Sequence, residues 1–283
     1  MEKVTPGLIN TLPVLRILTI GAYLDGGESG DILLPAKWLP ETARVGETLD
    51  VFIYFDSDDR LIATTLRPLA LLGEVALLRA AAVNRVGAFL DWGLEKDLLV
   101  PYREQTIKMV EGNDYLVYVF ADPATGRLAA SARLESFMQT SEHHFQPGDE
   151  VDLVIWKQTT LGYKAIINNS YEGILYSNEI FRPISFGEKT KGYIGKIRED
   201  GKIDLSLLKP GYEKIDDLSA TLLEQLRKHH GFMALTDKSA AGEIYQRLAM
   251  SKKNFKKAVG KLYKNRLIDI EEGGIRIIDT HEE

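Results

Sequence analysis

The sequence contains no cysteine. That excludes disulfides, thiolate nucleophiles and cysteine-ligated metals. No apolar run approaches the ~20 residues a membrane-spanning helix requires. Histidine is scarce: five residues, four of them in the adjacent pairs His143-His144 and His229-His230, with no His-Glu-x-x-His spacing. A Gly-x-x-x-x-Gly-Lys phosphate loop is also missing, and the acidic turn Asp56-Ser57-Asp58-Asp59 lacks the remaining ligands of a calcium loop. The expectation is a chain that is not an enzyme, with no metal and no cofactor. The opening Met1-Glu2-Lys3-Val4-Thr5-Pro6 has no basic segment leading into an apolar core, so the reading places the protein in the cytoplasm, away from membranes.

A surplus of positive charge is missing too. The net charge is −6, which weighs against nonspecific coating of a duplex. The charge is uneven, however. Residues 1–67 carry 6 Lys/Arg against 10 Asp/Glu, net −4, and residues 68–140 carry 7 against 9, net −2. Residues 141–211 carry 9 against 10, net −1, and residues 212–283 carry 13 against 12, net +1. An anion-binding surface is therefore expected in the second half.

What is present is an internal repeat. Gly21-Ala22-Tyr23-Leu24-Asp25 recurs as Gly87-Ala88-Phe89-Leu90-Asp91, and Asp31-Ile32-Leu33-Leu34-Pro35 as Asp97-Leu98-Leu99-Val100-Pro101, both at an offset of 66. Gly46 and Gly112 share that offset. A divergent third copy begins near Phe145, with Gly162-Tyr163-Lys164-Ala165-Ile166 and Gly173-Ile174-Leu175-Tyr176-Ser177 in place of the two motifs. Alternating segments such as Val51-Phe52-Ile53-Tyr54-Phe55 and Val117-Tyr118-Val119-Phe120 read as strands. Asp122-Pro123-Ala124-Thr125-Gly126 is a turn composition. Five short strands in about 65 residues suit a small closed barrel of the OB class, which leaves no open sheet edge.

The last quarter changes period. Leu218, Leu222, Leu223 and Leu226 form one helical stripe. A strand-like Phe232-Met233-Ala234-Leu235 follows, then a helix from Ser239 that Asp237 or Ser239 is placed to cap. Ser251 is placed to cap the next helix, with apolar positions Phe255, Val259, Leu262 and Tyr263. Two apolar strands around Glu271-Glu272-Gly273-Gly274 make a hairpin. The expected fold is mainly β with an α+β C-terminus. Three tandem five-stranded OB-type barrels (1–67, 68–140 and 141–211) precede a winged helix-turn-helix domain (212–283).

Gly87 to Asp91, the apolar run after it, Gly112 opening a strand and Gly126-Arg127-Leu128-Ala129-Ala130-Ser131 resemble the ribosomal-protein-S-one type of RNA-binding OB domain. The third copy ends Gly201-Lys202-Ile203-Asp204-Leu205-Ser206-Leu207, similar to that domain's final strand. With Asp237-Lys238-Ser239 and the run Met250-Ser251-Lys252-Lys253-Asn254-Phe255-Lys256-Lys257, the whole chain resembles the bacterial conserved virulence factor B family. The resemblance implies tandem OB domains, a winged helix, RNA binding and a role in gene expression. The typical domain shows two aromatics and a histidine on its RNA face. Here copy two has Val86 and Phe89 with Val100 near the histidine position, copy one has Tyr23 and Leu34, and copy three has Tyr163 and Tyr176.

A barrel binds a single strand by stacking bases on exposed aromatics beside a basic groove. Copy three satisfies this best, with Trp156, Tyr163 and Tyr176 near Lys157, Lys164, Arg182, Lys191 and Lys196. Alternation along Val151 to Trp156 sets Trp156 opposite Val151, Leu153 and Ile155, hence outward. Phe89 is the candidate of copy two, and Trp92 beside Gly93 in a loop is a lesser one. Residues 251–266 hold seven positive charges and no acid. Lys252, Lys253, Lys256, Lys257 and Lys261 are the candidate phosphate contacts on that helix. It offers little for base readout beyond Asn254. The expected partner is single-stranded RNA. DNA is the second candidate, through a transcription-regulator reading in which the barrels serve as effector or dimerisation module. A protein-interaction scaffold with an acidic first barrel is the third.

Overall fold

The structure is a computed structural model. It describes residues 4–139, 143–177, 180, 182–207 and 215–278, with the side chains of 215–217 excepted. The chain divides into two compact units, Met1–Met138 and Gln139–Glu283. The first unit holds two five-stranded sheets. The second holds one more, followed by a helical domain with a small sheet.

In the first sheet β1 (Ile9–Leu18), β2 (Gly21–Asp25), β3 (Asp31–Pro35), β4 (Thr48–Phe55) and β5 (Leu61–Thr64) close in the order β1-β2-β3-β5-β4. Strands β6 (Val75–Val83), β7 (Gly87–Asp91), β8 (Leu98–Pro101), β9 (Asp114–Ala121) and β10 (Leu128–Ser131) repeat that order. There β8 and β10 lie side by side without a ladder, so the sheet is barrel-like rather than closed by hydrogen bonds. In the second unit β11 (Glu150–Gln158), β12 (Gly162–Ile167), β13 (Tyr171–Tyr176), β14 (Lys189–Ile197) and β15 (Ile203–Ser206) close a barrel in the same order. This is the expected tandem OB arrangement, mainly β.

Each first strand carries an irregularity at the same place: between Val14 and Arg16, Ala80 and Ala82, and Ile155 and Lys157. A bulge of this kind bends the strand and raises its twist, as a small barrel requires. Each second strand opens on a glycine. A Cβ on Gly21, Gly87 or Gly162 would lie 2.0, 2.2 or 2.0 Å from the carbonyl oxygen of Leu34, Val100 or Leu175. Only glycine permits that approach.

Strand β4 is apolar on both faces for a reason. Val51 and Ile53 point into the first barrel's core, while Phe52 is buried in the core of the second. The Phe52 ring meets Trp92 edge-on at 5.6 Å. Trp92 Nε1 donates to the Lys96 carbonyl at 2.6 Å, so this ring is a buried wall and not the loop ligand the sequence allowed. Polar ties accompany it: Lys37 Nζ to Glu95 at 2.6 Å, Lys96 Nζ to the carbonyls of Phe55 and Asp56, and Arg127 to Asp59.

The C-terminal domain contains α1 (Ile215–Lys228), β16 (Phe232–Met233), α2 (Ala241–Leu248), α3 (Lys252–Lys264), β17 (Ile268–Glu271) and β18 (Gly274–Ile277). The sheet order β16-β18-β17 makes β17 and β18 the wing. Leu218, Leu222, Leu226, Ile244, Phe255, Leu262 and Ile275 build one core. Helix α2 ends at Ala249 in the left-handed conformation, and Ser251 caps α3 by accepting from Asn254 N–H at 3.1 Å. The expected cap on α2 is not made. Its N-cap is Ala240, and Ser239 Oγ instead accepts from Thr236 N–H at 3.0 Å, closing the preceding turn. The buried stripe of α3 runs through Phe255, Ala258 and Leu262, and Tyr263 points outward. The expected strand over 232–235 is two residues long.

Phe52→Ala removes a fully buried ring that a strand of the first barrel sends into the core of the second. Denaturant unfolding of this variant is expected to show a loss of about 3–5 kcal/mol. A loss under about 1 kcal/mol would mean the two cores are not coupled through this residue.

Candidate nucleic-acid interface

The three glycine-led strands give a common frame. Gly21 pairs with Pro35, Gly87 with Pro101 and Gly162 with Tyr176. Two residues on, Tyr23 faces Leu33, Phe89 faces Leu99 and Lys164 faces Ile174. Across the other ladder these same residues face Arg16, Ala82 and Lys157. The equivalent outer patches are therefore Arg16–Tyr23–Leu33, Ala82–Phe89–Leu99 and Lys157–Lys164–Ile174.

Their chemistry differs. In the first barrel Arg16 lies over the Tyr23 ring, its Cζ 4.2 Å from the centroid, and pairs with Asp31 at 2.6 Å. The ring face where a base would stack is already covered by a guanidinium. In the second, Phe89 is half-buried with no cation over its ring among the described residues, and lines a cavity of about 420 Å3. In the third, lysines replace the aromatic. Lys157 is exposed, Lys164 pairs with Glu172 at 2.6 Å, and both ammonium groups lie 5.7 Å from the Trp156 ring centroid.

Two aromatic expectations fail here. Trp156 is only 9 % exposed. It sits within the bulge between Ile155 and Lys157, where the alternation that set it outward is interrupted. Its buried Nε1 has no hydrogen-bond partner among the described residues. Tyr163 shares a face with Ala165 and Ile167, faces the buried Leu175 across the ladder, and packs on the barrel core. It takes the inward place of Ala22 and Ala88, one residue before the outer position. Leu34 and Val100, near the histidine position of the typical domain, are fully buried.

The remaining residues of the third barrel are mostly engaged. Tyr176 is half-buried at the end of β13, its hydroxyl 3.5 Å from Asp204 and Arg198 5.7 Å from its ring centroid. Arg182 pairs with Glu188 at 2.6 Å and donates to Thr190. Lys191 pairs with Asp152 at 2.7 Å, and that hydrogen bond holds its ammonium above the usual lysine range. Lys196 is exposed with no partner among the described residues. The exposed Lys191–Asp152 pair contributes about 0–1 kcal/mol, whereas Arg182–Glu188 is partly buried.

On α3 the lysines divide. Lys252 donates to the Ser239 carbonyl at 2.8 Å, Lys256 lies 3.9 Å from Asp237, and Lys261 is half-buried. Lys253, Lys257 and Lys264 are exposed with no partner among the described residues, as is Arg266. The neighbouring wing is acidic: Asp269, Glu271 and Glu272 are exposed, and Arg276 is held by Glu271. Among the described residues no group of three His, Cys, Asp or Glu is placed to hold a metal.

Barrels of OB order joined to a winged helix define a protein built from domains of the nucleic-acid-binding kind. Comparison with known proteins agrees. Residues 220–277 match the CvfB-like winged helix domain, and residues 6–66 match the S1 domain. That second match falls on the first barrel, whereas the sequence motifs stand out in copies two and three. The chain is 27 % identical over 282 residues to the uncharacterized protein YitL of Bacillus subtilis, covering 96 % of this chain and 93 % of that one. It is 27 % identical to conserved virulence factor B of Staphylococcus epidermidis, covering 98 % and 96 %, and 25 % identical to that of Staphylococcus aureus, covering 98 % and 95 %. A solved multidomain protein with nucleic acid binding domains from Streptococcus pneumoniae aligns with a TM-score of 0.40 at 21 % identity, covering 97 % and 99 %. The chain thus carries an S1 domain and a CvfB-like winged helix, and is similar along nearly its whole length to the conserved virulence factor B proteins. These domains are non-catalytic in kind.

The inward place of Tyr163 and the outward place of Lys164 separate by measurement. Tyr163→Ala is expected to lower unfolding stability by about 1–3 kcal/mol, less than the ~3–5 of a fully buried ring. Lys164→Gln should stay within about 0.5 kcal/mol of the parent, as surface changes do. A Tyr163→Ala protein that melts like the parent would return this ring to the surface.

Proposed function

We propose that the protein binds single-stranded RNA without catalysis and regulates gene expression in the cytoplasm. In this reading residues 1–67, 68–140 and 141–211 are barrel domains and 212–283 the winged helix. Phe89, Lys157, Lys164 and Lys196 meet the strand on the barrels. Lys253 and Lys257 of α3 meet phosphates, with Lys252, Lys256 and Lys261 beside them. Arg182, Lys191 and Tyr176 lie at the margin of the third barrel's surface and engage only by exchanging their present partners. Trp156 and Tyr163 act as packing.

The acidic wing is the observation that carries single strand over duplex. A winged helix that grips duplex DNA sets its third helix in a groove and its wing against the flanking phosphates. Here Asp269, Glu271 and Glu272 would face those phosphates, with the wing's Arg276 already paired. A single strand can follow the lysines of α3 and leave the wing aside. The helix-turn-helix of α2 and α3 supports the other reading, a DNA-binding regulator, and the same titration decides between them. No helix among the described residues is long and apolar enough to cross a membrane.

Titration of the full chain with single-stranded RNA, single-stranded DNA and duplex DNA of equal length, at two salt concentrations, tests the proposal. Single-stranded RNA is expected to bind more tightly than duplex. Equal or tighter duplex binding would favour the transcription-regulator reading. Changing Lys253, Lys257 and Lys264 together to Gln should weaken binding to different RNA sequences alike, because phosphates are the same in each. The slope of log affinity against log salt should become shallower by roughly 0.7 for each phosphate that is no longer neutralised. An unchanged slope would make this helix a solvated face only.

A further inference from the structure

The cavity at Phe89 has a composition that phosphate binding does not require. It lies within the first unit, where Tyr54 and Phe55 of β4 stand over the outer face of the second barrel. Phe89, Leu99, Asp97 and Arg127 complete the lining that matters here. Its volume, about 420 Å3, falls in the ~300–1,000 Å3 range of small-molecule sites. The walls are flat and aromatic, suited to a planar ring.

The polar groups around it are mostly spent. Arg127 is paired with Asp59, Lys96 donates to the carbonyls of Phe55 and Asp56, and Trp92 Nε1 to the carbonyl of Lys96. Asp122 accepts from Arg103 and from the Ala124 N–H of its own turn. Asp97 accepts no hydrogen bond from any described residue, and the Tyr54 hydroxyl makes none with them. Partial burial, and secondarily the charge of Asp91, hold the Asp97 carboxyl above the usual carboxylate range. An aromatic slot with one unused acidic acceptor calls for a planar ligand that brings its own donors.

We infer that this cavity receives a guanine base, stacked among Phe89, Tyr54 and Phe55, with Asp97 accepting from its N1–H and amino group. Among the four bases only guanine presents two adjacent N–H donors on its Watson–Crick edge. Single strands, whose bases are free to splay out, expose that edge to proteins. A guanidinium has the same donor pattern, but a purine ring covers more of the aromatic walls formed by Tyr54, Phe55 and Phe89, and N-acetylarginine amide serves as the control below. The net charge of −6 across residues 1–140 disfavours phosphate in this cavity, so the base enters with its phosphates held elsewhere. The inference rests on the single-strand reading for its biological meaning, while the pocket itself is testable without it.

The full-length protein is titrated with guanosine, adenosine and cytidine by calorimetry, and separately with a uridine heptamer and the same heptamer bearing one central guanosine. Guanosine is expected to bind roughly tenfold or more tightly than the other nucleosides, within the discrimination a bidentate base contact supplies. Asp97→Asn, nearly isosteric, should remove that preference, and Phe89→Ala should weaken all three nucleosides. Guanosine binding no better than adenosine in the unaltered protein overturns the inference whatever the variants do. So does a preference that survives Asp97→Asn, or uptake of N-acetylarginine amide in place of guanosine. If the uridine heptamer binds and guanosine shows no preference, the pocket assignment fails and the single-strand reading stands. If guanosine is selected and neither heptamer binds, the pocket stands and that reading fails.

Discussion

At Gly21, Gly87 and Gly162 the second strand of each barrel runs so close to the third that a Cβ would meet a carbonyl oxygen at 2.0–2.2 Å. That approach pins the register of the two strands. Because side chains alternate along a strand, it also fixes which residue points outward. Two residues beyond each glycine stands Tyr23, Phe89 or Lys164, each opposite the strand that carries the bulge. One backbone scaffold thus presents three different chemistries. The first barrel offers a tyrosine covered by its own arginine, the second a bare phenylalanine, and the third a pair of lysines.

The joint between the first two barrels gives the second face its shape. Phe52 leaves its own barrel and completes the core of the next, so Tyr54 and Phe55 on the same strand are carried over Phe89. The cations near that face are committed to holding the joint, which leaves the cavity aromatic and nearly neutral. Exposed cations without a partner among the described residues include Lys157, Lys196 and the exposed flank of α3, and also Arg67, Arg85 and Lys108 of the first unit.

Much of this is legible in the amino-acid order. The repeat at an offset of 66 aligns Tyr23 with Phe89 and marks the barrels, and the change to helical period marks the winged helix with its Ser251 cap. The failures have local causes. Strict alternation assigns Trp156 to the surface, but a bulge lies at that residue, and no glycine in Ile155-Trp156-Lys157 marks it. Tyr163 reads as a surface ring because the third copy has an aromatic directly after its glycine, where the other copies have alanine. Counting two residues from Gly162 instead places Lys164 outward and Tyr163 inward. The missing cap on α2 reflects competition, since a turn hydroxyl serves whichever N–H the chain brings near. The cavity is not legible, because it forms where two separate repeats meet. The run Val51 to Phe55, apolar at every position, is the one sign that β4 has two buried faces.

Photocrosslinking of the full chain to a single-stranded RNA bearing 4-thiouridine, followed by peptide mapping, tests the division of labour most directly. Adducts are expected on the strand segments carrying Phe89 and Lys157–Lys164 and on α3, with the wing over 268–277 unlabelled. Adducts confined to the wing, or labelling of α3 by duplex DNA with the barrels untouched by RNA, would contradict it.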